Sequence, residues 1–326
     1  MKLVILLCKS RYRKKNLNSF CKINFFGKYL IINFSFIFFY FGLILSKLKI
    51  FKSISIDSIP LIDEKNGFNF WLTGTIHKIP EKFRNFNNNY VNMRNVFHSD
   101  DNIFQLYPII KKKIRFNKNK KIIYISSFKL RKPEITSEYW KKYKQKINEN
   151  LTLIDNKNFW SNEFDSKYNN QQKFIIYRDL KINLRMLIVN SISSNFKSNF
   201  QLYGTDWKNY FVEAGANIEK KRAIQNLYSG NICVDFGSIS GSLTLYPRSI
   251  EIIESGGYLL QLKQSDSSQI FGKYENYFTF DSLDDLNKKL KNLLEDFELY
   301  KSQLRSLNEI FQNSKQKIEK QLDFIL

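Results

Sequence analysis

Tyr246-Pro-Arg-Ser-Ile-Glu-Ile-Ile-Glu-Ser-Gly-Gly-Tyr-Leu-Leu260 follows a small-residue loop, Gly237-Ser-Ile-Ser-Gly-Ser242. Together they read as loop, helix and strand in one passage. Pro247 begins the helix, because its fixed φ suits the first turn and its missing N–H is not needed there. Gly256-Gly257 ends it, and Tyr258-Leu-Leu260 opens a buried strand. Arg248 and Glu251 are three apart, so they share a face of the first turn. A helix N-terminus with an arginine beside it attracts phosphate, and a carboxylate one turn further in accepts ribose hydroxyls. The passage therefore points to a sugar-nucleotide site. An intrahelical Arg248–Glu251 ion pair, with the glycines only a helix stop, fits the same residues.

The pattern extends outward from there. Residues 68–74, 121–127, 151–154, 200–204, 231–236, 258–262 and 277–280 read as strands, and 174–177 as a strand or the lead-in to one. Residues 137–148, 180–194 and 220–228 read as helices. The tail is helical, with Leu283, Leu286, Leu290, Leu293, Leu294 and Phe297 on one stripe that reads as core packing. Strands alternating with helices imply a parallel, doubly wound sheet. Ligands bind such sheets at the carboxyl ends of the strands. The strand ending at Phe236 feeds the Gly/Ser loop, and Tyr203-Gly204 and Ser265-Asp266 end neighbouring strands. Three regions follow: a basic and hydrophobic segment over 1–65, an α/β domain over 66–172 and a second over 173–326. The polar stretch 156–173 serves as the linker.

At 326 residues, with 43% hydrophobic and 16% aromatic residues, the chain is globular and large enough for two domains. Its net charge of +22 is unevenly placed. Residues 1–150 hold 30 Lys and Arg against 9 Asp and Glu, whereas 151–326 hold 22 against 21. The first half would attract an anionic membrane surface or a charged acceptor. No nucleic-acid motif accompanies the charge, so nucleic acid is not the expected partner. Cys8, Cys21 and Cys233 lack metal or disulfide spacing, which fits a reducing compartment. Only His77 and His98 are available for histidine chemistry, and His77 reads as a loop histidine with no role ahead of an acid–base group.

Residues 29–46 are mostly apolar and flanked by Lys28 and Lys47, which meets the minimum for a membrane span. Eight positive and no negative residues precede them, which would leave the N-terminus in the cytoplasm. A buried helix–strand segment or a membrane-lying anchor fits as well. Residues 2–8 read as a short buried strand or the start of a targeting segment.

From about Leu184 to Leu294 the chain resembles the C-terminal half of bacterial family-1-like glycosyltransferases of the spore-maturation-protein type. The matching elements are Arg185, Phe200-Gln-Leu-Tyr-Gly-Thr-Asp-Trp207, Asn226-Leu-Tyr228 and Ile232-Cys-Val-Asp-Phe236. Gly241, Arg248-Ser-Ile-Glu251, Glu254-Ser-Gly-Gly257 and Asp281-Ser-Leu-Asp-Asp-Leu286 follow in order. The resemblance implies the GT-B architecture: two Rossmann-like domains facing each other, with parallel sheets and C-terminal helices. It implies transfer of a sugar from a nucleotide-diphosphate sugar to a glycan or lipid-linked acceptor of the cell envelope, with no further cofactor. Glu251 would hold the donor ribose, and Arg248 and the amides near Gly241 and Ser242 the diphosphate. Tyr203 and Gly204 would line the crevice, and Asp266 would lie near the sugar. Many retaining relatives carry a second glutamate where this chain has Leu243, which leaves the catalytic contact unassigned. No Asp-x-Asp occurs, so leaving-group stabilisation without a metal is expected. The expected location is the cytoplasm, peripheral to or anchored at the inner membrane. The alternatives are a GT-B-like protein without activity and a basic membrane- or nucleic-acid-binding protein.

Overall fold

The computed structural model describes seven strands within residues 1–107. Beyond them it describes 108, 110, 114–126, 138–164, 168, 170–215, 218, 220–237, 244–314, 316–317 and 320. The chain divides into two compact units, Met1–Tyr107 with Asn313–Leu326, and Pro108–Gln312.

The first unit is built on a seven-stranded sheet. Its strands are β1 (Lys2–Cys8), β2 (Lys22–Phe26), β3 (Tyr29–Phe34), β4 (Lys52–Ile56), β5 (Phe70–Leu72), β6 (Asn89–Val91) and β7 (Ile103–Phe104). The order is β2-β3-β1-β4-β5-β6-β7, parallel throughout except for the edge pair β2–β3. The start of the apolar stretch over 29–46 is therefore a strand, paired on both sides, and not a helix. A near-continuous apolar run is what an interior strand of a parallel sheet requires. Among the described residues no helix is long and apolar enough to cross a membrane; 35–46 lie outside them, as does His77.

In the second unit, β8 (Ile122–Ile125) leads to α1 (Glu138–Glu149), a 3-10 turn at Leu153–Asp155, α2 (Lys157–Phe164) and α3 (Asn170–Asn195). Then come β9 (Phe200–Tyr203), a 3-10 turn at Trp207–Asn209, α4 (Lys221–Tyr228), β10 (Ile232–Asp235), α5 (Pro247–Glu254) and β11 (Tyr258–Leu262). The chain continues through α6 (Ser267–Phe271), α7 (Glu275–Phe278), β12 (Thr279–Phe280), α8 (Leu283–Glu295) and α9 (Phe297–Phe311). The five strands are all parallel, in the order β12-β11-β10-β8-β9. Ile122 is paired with Ile232 on one side and Phe200 on the other.

Strand β8 is thus interior to the second sheet, whereas the sequence reading placed 121–127 in a first domain ending at 172. The compact unit begins at Pro108 because β8 finds its partners only across a connection of some 75 residues. Other local readings also shift. The expected strand at 151–154 is the turn at Leu153–Asp155. The lead-in at 174–177 lies inside α3, whose Leu180, Leu184, Ile188 and Ile192 recur every fourth position and are buried. A short apolar run cannot be assigned by periodicity alone. The supposed linker contains α2, whose buried residues are aromatic: Phe159, Trp160 and Phe164 pack edge-on and tilted among themselves and against Tyr143 and Tyr177. Trp160 Nε1 donates to the Ile154 carbonyl at 2.7 Å.

The core lies between the sheet and its helices: Ile122, Ile123, Cys233, Val234 and all of β11 are buried, as are Leu286, Leu290, Leu304 and Leu307 of the last two helices. The tail helix is two helices, each with a side-chain cap: Ser282 accepts from the Asp285 amide and Asp296 from the Leu299 amide. Gly256-Gly257 closes α5 as expected. Gly256 has φ of 76°, and a Cβ on Gly257 would lie 2.8 Å from the Tyr228 carbonyl oxygen, so neither position admits a side chain without movement.

Tyr177, Tyr246 and Tyr258 are buried, and burial pushes each phenol well above its usual 10.0. Unfolded, these phenols ionise near 10.0; folded, they do so only higher. Their contribution to stability is complete below that pH and is lost as pH rises above it. Alkaline unfolding is expected to begin near pH 10 with phenolate absorbance and loss of helical circular dichroism rising together. Phenolate absorbance appearing in full before any loss of helix would contradict it.

Candidate functional site

In chain order the five parallel strands lie second, first, third, fourth, fifth, counted from the β9 edge. The order reverses between β8 and β10, and at such a switch point the loops leave in opposite directions and open a crevice beyond the strand ends. Ser126 leaves β8 there and Asp235 ends β10, with Phe236 and Gly237 beyond it.

Asp235 closes a strand whose residues are all buried, so its carboxylate needs local partners. Oδ1 accepts a hydrogen bond from the Tyr246 hydroxyl and lies 3.4 Å from Arg248 Nη1. Burial raises the Tyr246 phenol well above its usual range, so it stays protonated and remains a donor. Oδ2 is buried and has no hydrogen-bond partner among the described residues. The Arg248 guanidinium lies 5.8 Å from the ring centres of both Tyr124 and Tyr246, and its Nη2 is 3.4 Å from Ser126 Oγ. The ion pair formed by Arg248 thus runs to the neighbouring strand.

Arg185 reaches the same serine from α3. Its Nη1 is 3.5 Å from Ser126 Oγ, and its Nη2 donates to the Gly237 carbonyl. One turn earlier on α3, Lys181 is fully buried in an ion pair with Asp155, which also accepts from Tyr177 at 2.8 Å. That pair ties α3 to the Leu153–Asp155 turn and fixes the direction from which Arg185 approaches. The backbone of Ser126 is held as well. Its N–H donates to the Tyr203 carbonyl at 3.0 Å, and its carbonyl accepts from Trp207 Nε1 at 2.8 Å.

The residues singled out from the sequence take distinct places around this cluster. Arg248 is within it. Tyr203 joins through its carbonyl, its ring packed so closely on Gly215 that a Cβ there would be 2.3 Å away, and Gly204 follows with φ of 132°. Glu251 is half-buried one turn beyond Arg248 on α5. Asp266 is buried and accepts from Thr244, through its N–H at 2.9 Å and its Oγ1 at 2.8 Å. Gln261 Nε2 and Ser249 Oγ both donate to the Thr244 carbonyl. Asp266 therefore secures the residue from which the chain passes into α5. Gly241, Ser242 and Leu243 lie outside the described residues, but the segment's two ends are described and both are anchored. Gly237 has φ of 75°, and Gln264 Nε2 lies 3.0 Å from where its Cβ would be.

Ser126, Asp235, Tyr246 and Tyr124 were not singled out from the sequence as site residues. Asp235 carried a signal, a carboxylate closing an otherwise apolar strand. Ser126 carried a weaker one, as a small residue ending an apolar run.

Residues 162–323 match a family model described as glycosyl transferase-like. No curated protein matches the chain. Among solved structures, the chain is similar to a mutant of the T4 phage β-glucosyltransferase in complex with UDP-glucose, at TM-score 0.47 and 11% identity, over 99% of this chain and 98% of that one. A DNA-modifying β-glucosyltransferase solved with and without uridine diphosphoglucose gives TM-score 0.44 and 11% identity, over 97% and 96%.

Replacing Arg248 by Met would leave the Asp235 carboxylate buried with Tyr246 as its remaining partner. Urea unfolding is expected to show a loss of about 3 kcal/mol, the cost of stranding one member of a buried pair. Adding Asp235→Asn to Arg248→Met should recover part of that loss. A double variant less stable than Arg248→Met alone would show that the pair does not carry the cost.

Proposed function

Because residues 162–323 belong to the glycosyl transferase-like family, we propose that the chain moves a sugar from a nucleotide-diphosphate-sugar donor to a glycan or lipid-linked acceptor. The observation that carries this reading is the position of Arg248. Its guanidinium lies at the switch point of a parallel sheet, on the first turn of α5, flanked by Tyr124 and Tyr246. A cation and a helix N-terminus together suit a diphosphate, and Glu251 one turn further suits the ribose hydroxyls.

Breaking the glycosidic bond to the diphosphate leaves negative charge on the departing oxygen. Arg248 and the α5 dipole would stabilise that charge without a metal ion. Arg248 is held by Asp235, Ser126 and two aromatic rings before any ligand arrives, so little reorganisation remains to be made in the transition state. The basic surplus in residues 1–150 fits an acceptor that is acidic or embedded in an anionic membrane surface. A cytoplasmic enzyme peripheral to the inner membrane would meet both substrates.

A ligand that binds only the folded state stabilises it, by about 2.7 kcal/mol at a hundred times its Kd. UDP or GDP should raise the unfolding temperature, and Glu251→Ala should abolish the rise. A screen of nucleotide sugars that follows release of the nucleoside diphosphate then identifies the donor. No shift with either nucleotide would sink the reading.

A further inference from the structure

Thr244 is fully buried, and each of its polar groups is bonded to a side chain from later in the chain. Its N–H and its Oγ1 both donate to Asp266 Oδ1, at 2.9 and 2.8 Å. The same Oγ1 lies 2.9 Å from Ser267 Oγ. The Thr244 carbonyl accepts from Gln261 Nε2 at 2.9 Å and from Ser249 Oγ at 2.8 Å. Ser249 in turn accepts from the Tyr246 N–H at 2.8 Å, which caps the first turn of α5. Asp266 and Ser267 belong to the turn after β11, where the Ser267 N–H donates to the Gln264 carbonyl at 3.2 Å. That turn also reaches Gly237. The Gln264 side-chain amide donates to the Leu262 carbonyl at 2.7 Å and lies against Gly237 where a side chain would stand. Ser267 Oγ accepts from the Gln264 N–H at 2.9 Å, which joins the two contacts.

From these contacts we infer that the Gln264–Ser267 turn is a clasp that fixes the first turn of α5, and that Asp266 is its positioning residue. The clasp stands on the contacts alone, and its effect on affinity rests on the nucleotide-binding reading above. Asp266 thereby has a different part from the sugar contact that the family resemblance implies. Both donors of Thr244 converge on one oxygen of a carboxylate that is 6% exposed, so the bonds are charge-assisted and stronger than those between neutral groups. Removing the carboxylate strands a buried N–H and a buried hydroxyl together. Arg248 is only four residues beyond Thr244, and Pro247 stiffens the chain between them, so a displaced Thr244 carries the helix start with it. Tyr246 and Arg248 meet Asp235 from that turn. Loss of Asp266 is therefore felt where the diphosphate would bind, and it weakens a nucleoside diphosphate and its sugar conjugate by the same factor.

The test uses the full chain and two measurements. Hydrogen exchange without ligand reads the clasp. In Asp266→Ala, amides over 244–251 should exchange roughly tenfold faster than in the wild type, while those of β10 and β11 stay within about twofold. Asp266→Asn, whose Oδ1 still accepts both bonds, should recover most of the difference. Titration calorimetry with UDP, UDP-glucose, GDP and GDP-mannose reads the consequence. Asp266→Ala should lower the affinity for whichever diphosphate binds by roughly tenfold and for its sugar conjugate equally, and Asp266→Asn should again recover most of it. If Asp266→Ala does not fold, Thr244→Val and Thr244→Ser take its place. The first loses the hydroxyl and should weaken both ligands about threefold, and the second keeps the hydroxyl and the affinity. A loss confined to the sugar conjugate overturns the inference in favour of a sugar contact. Faster exchange throughout the sheet overturns it in favour of a general strut, and unchanged exchange over 244–251 overturns it outright. Unchanged nucleotide affinity beside faster local exchange overturns the positioning role. Binding of none of the four by the wild-type protein removes the nucleotide reading, and the exchange result alone then upholds or overturns the clasp.

Discussion

The constraint on which the second unit depends is the reversal of strand order between β8 and β10. With β9 on one side of the first strand and β10 on the other, the chain must leave the sheet in opposite directions at adjacent strand ends. The gap this leaves is lined by the ends of buried strands, so any polar group there must find its partner close by in space. Ser126 and Asp235 stand at those two ends. What meets them comes from other elements: Arg185 from the long helix, Tyr203 and Trp207 from β9 and the turn after it, Tyr246 and Arg248 from the start of α5. The site is a consequence of the topology before it is a consequence of any one motif.

The polar groups around the crevice do two kinds of work. One group secures backbone. Arg185 holds the Gly237 carbonyl, Asp266 and Gln261 hold Thr244, and Ser249 accepts from the Tyr246 N–H at 2.8 Å while donating to the Thr244 carbonyl. The other group carries charge, and there Arg248 pairs with Asp235. Burial makes each unmet donor or acceptor expensive, so a structural cluster is expected to be neutral and fully bonded. Among the described residues this one is neither, with Arg185 Nε and Asp235 Oδ2 both lacking hydrogen-bond partners.

Much of the second unit was legible in the sequence because its signals are local. A proline start and a double-glycine stop define α5, and a leucine stripe defines α8 and α9. The Phe200-Gln-Leu-Tyr-Gly204 turn gives β9. The part that was not legible is the position of β8. Ile122–Ile125 carries no mark of its sheet, and its pairing with Phe200–Tyr203 and Ile232–Cys233 spans separations of some 75 to 110 residues. Assigning it to an earlier domain hid the switch point, and with it Ser126. Arg185 was visible only as one element of a family pattern, since the serine it reaches lies on β8. The aromatic packing of α2 was missed for a different reason. Phe159, Trp160 and Phe164 are separated by polar residues, so the stretch reads as a linker when only aliphatic residues are counted.

The sequence left two readings of Arg248 open, a phosphate ligand or the partner of Glu251 in its own helix. The structure supplies a third arrangement, an ion pair with Asp235 across to the next strand. Pairing does not by itself remove an arginine from ligand binding, because the guanidinium has five donors and Asp235 engages one edge through a single 3.4 Å contact. Holding it in this way has a further effect. A free arginine loses side-chain entropy when it closes on a ligand, whereas this one is already fixed between two rings and a carboxylate. The carboxylate reduces the attraction for an anion, and the fixed geometry returns part of that loss as preorganisation.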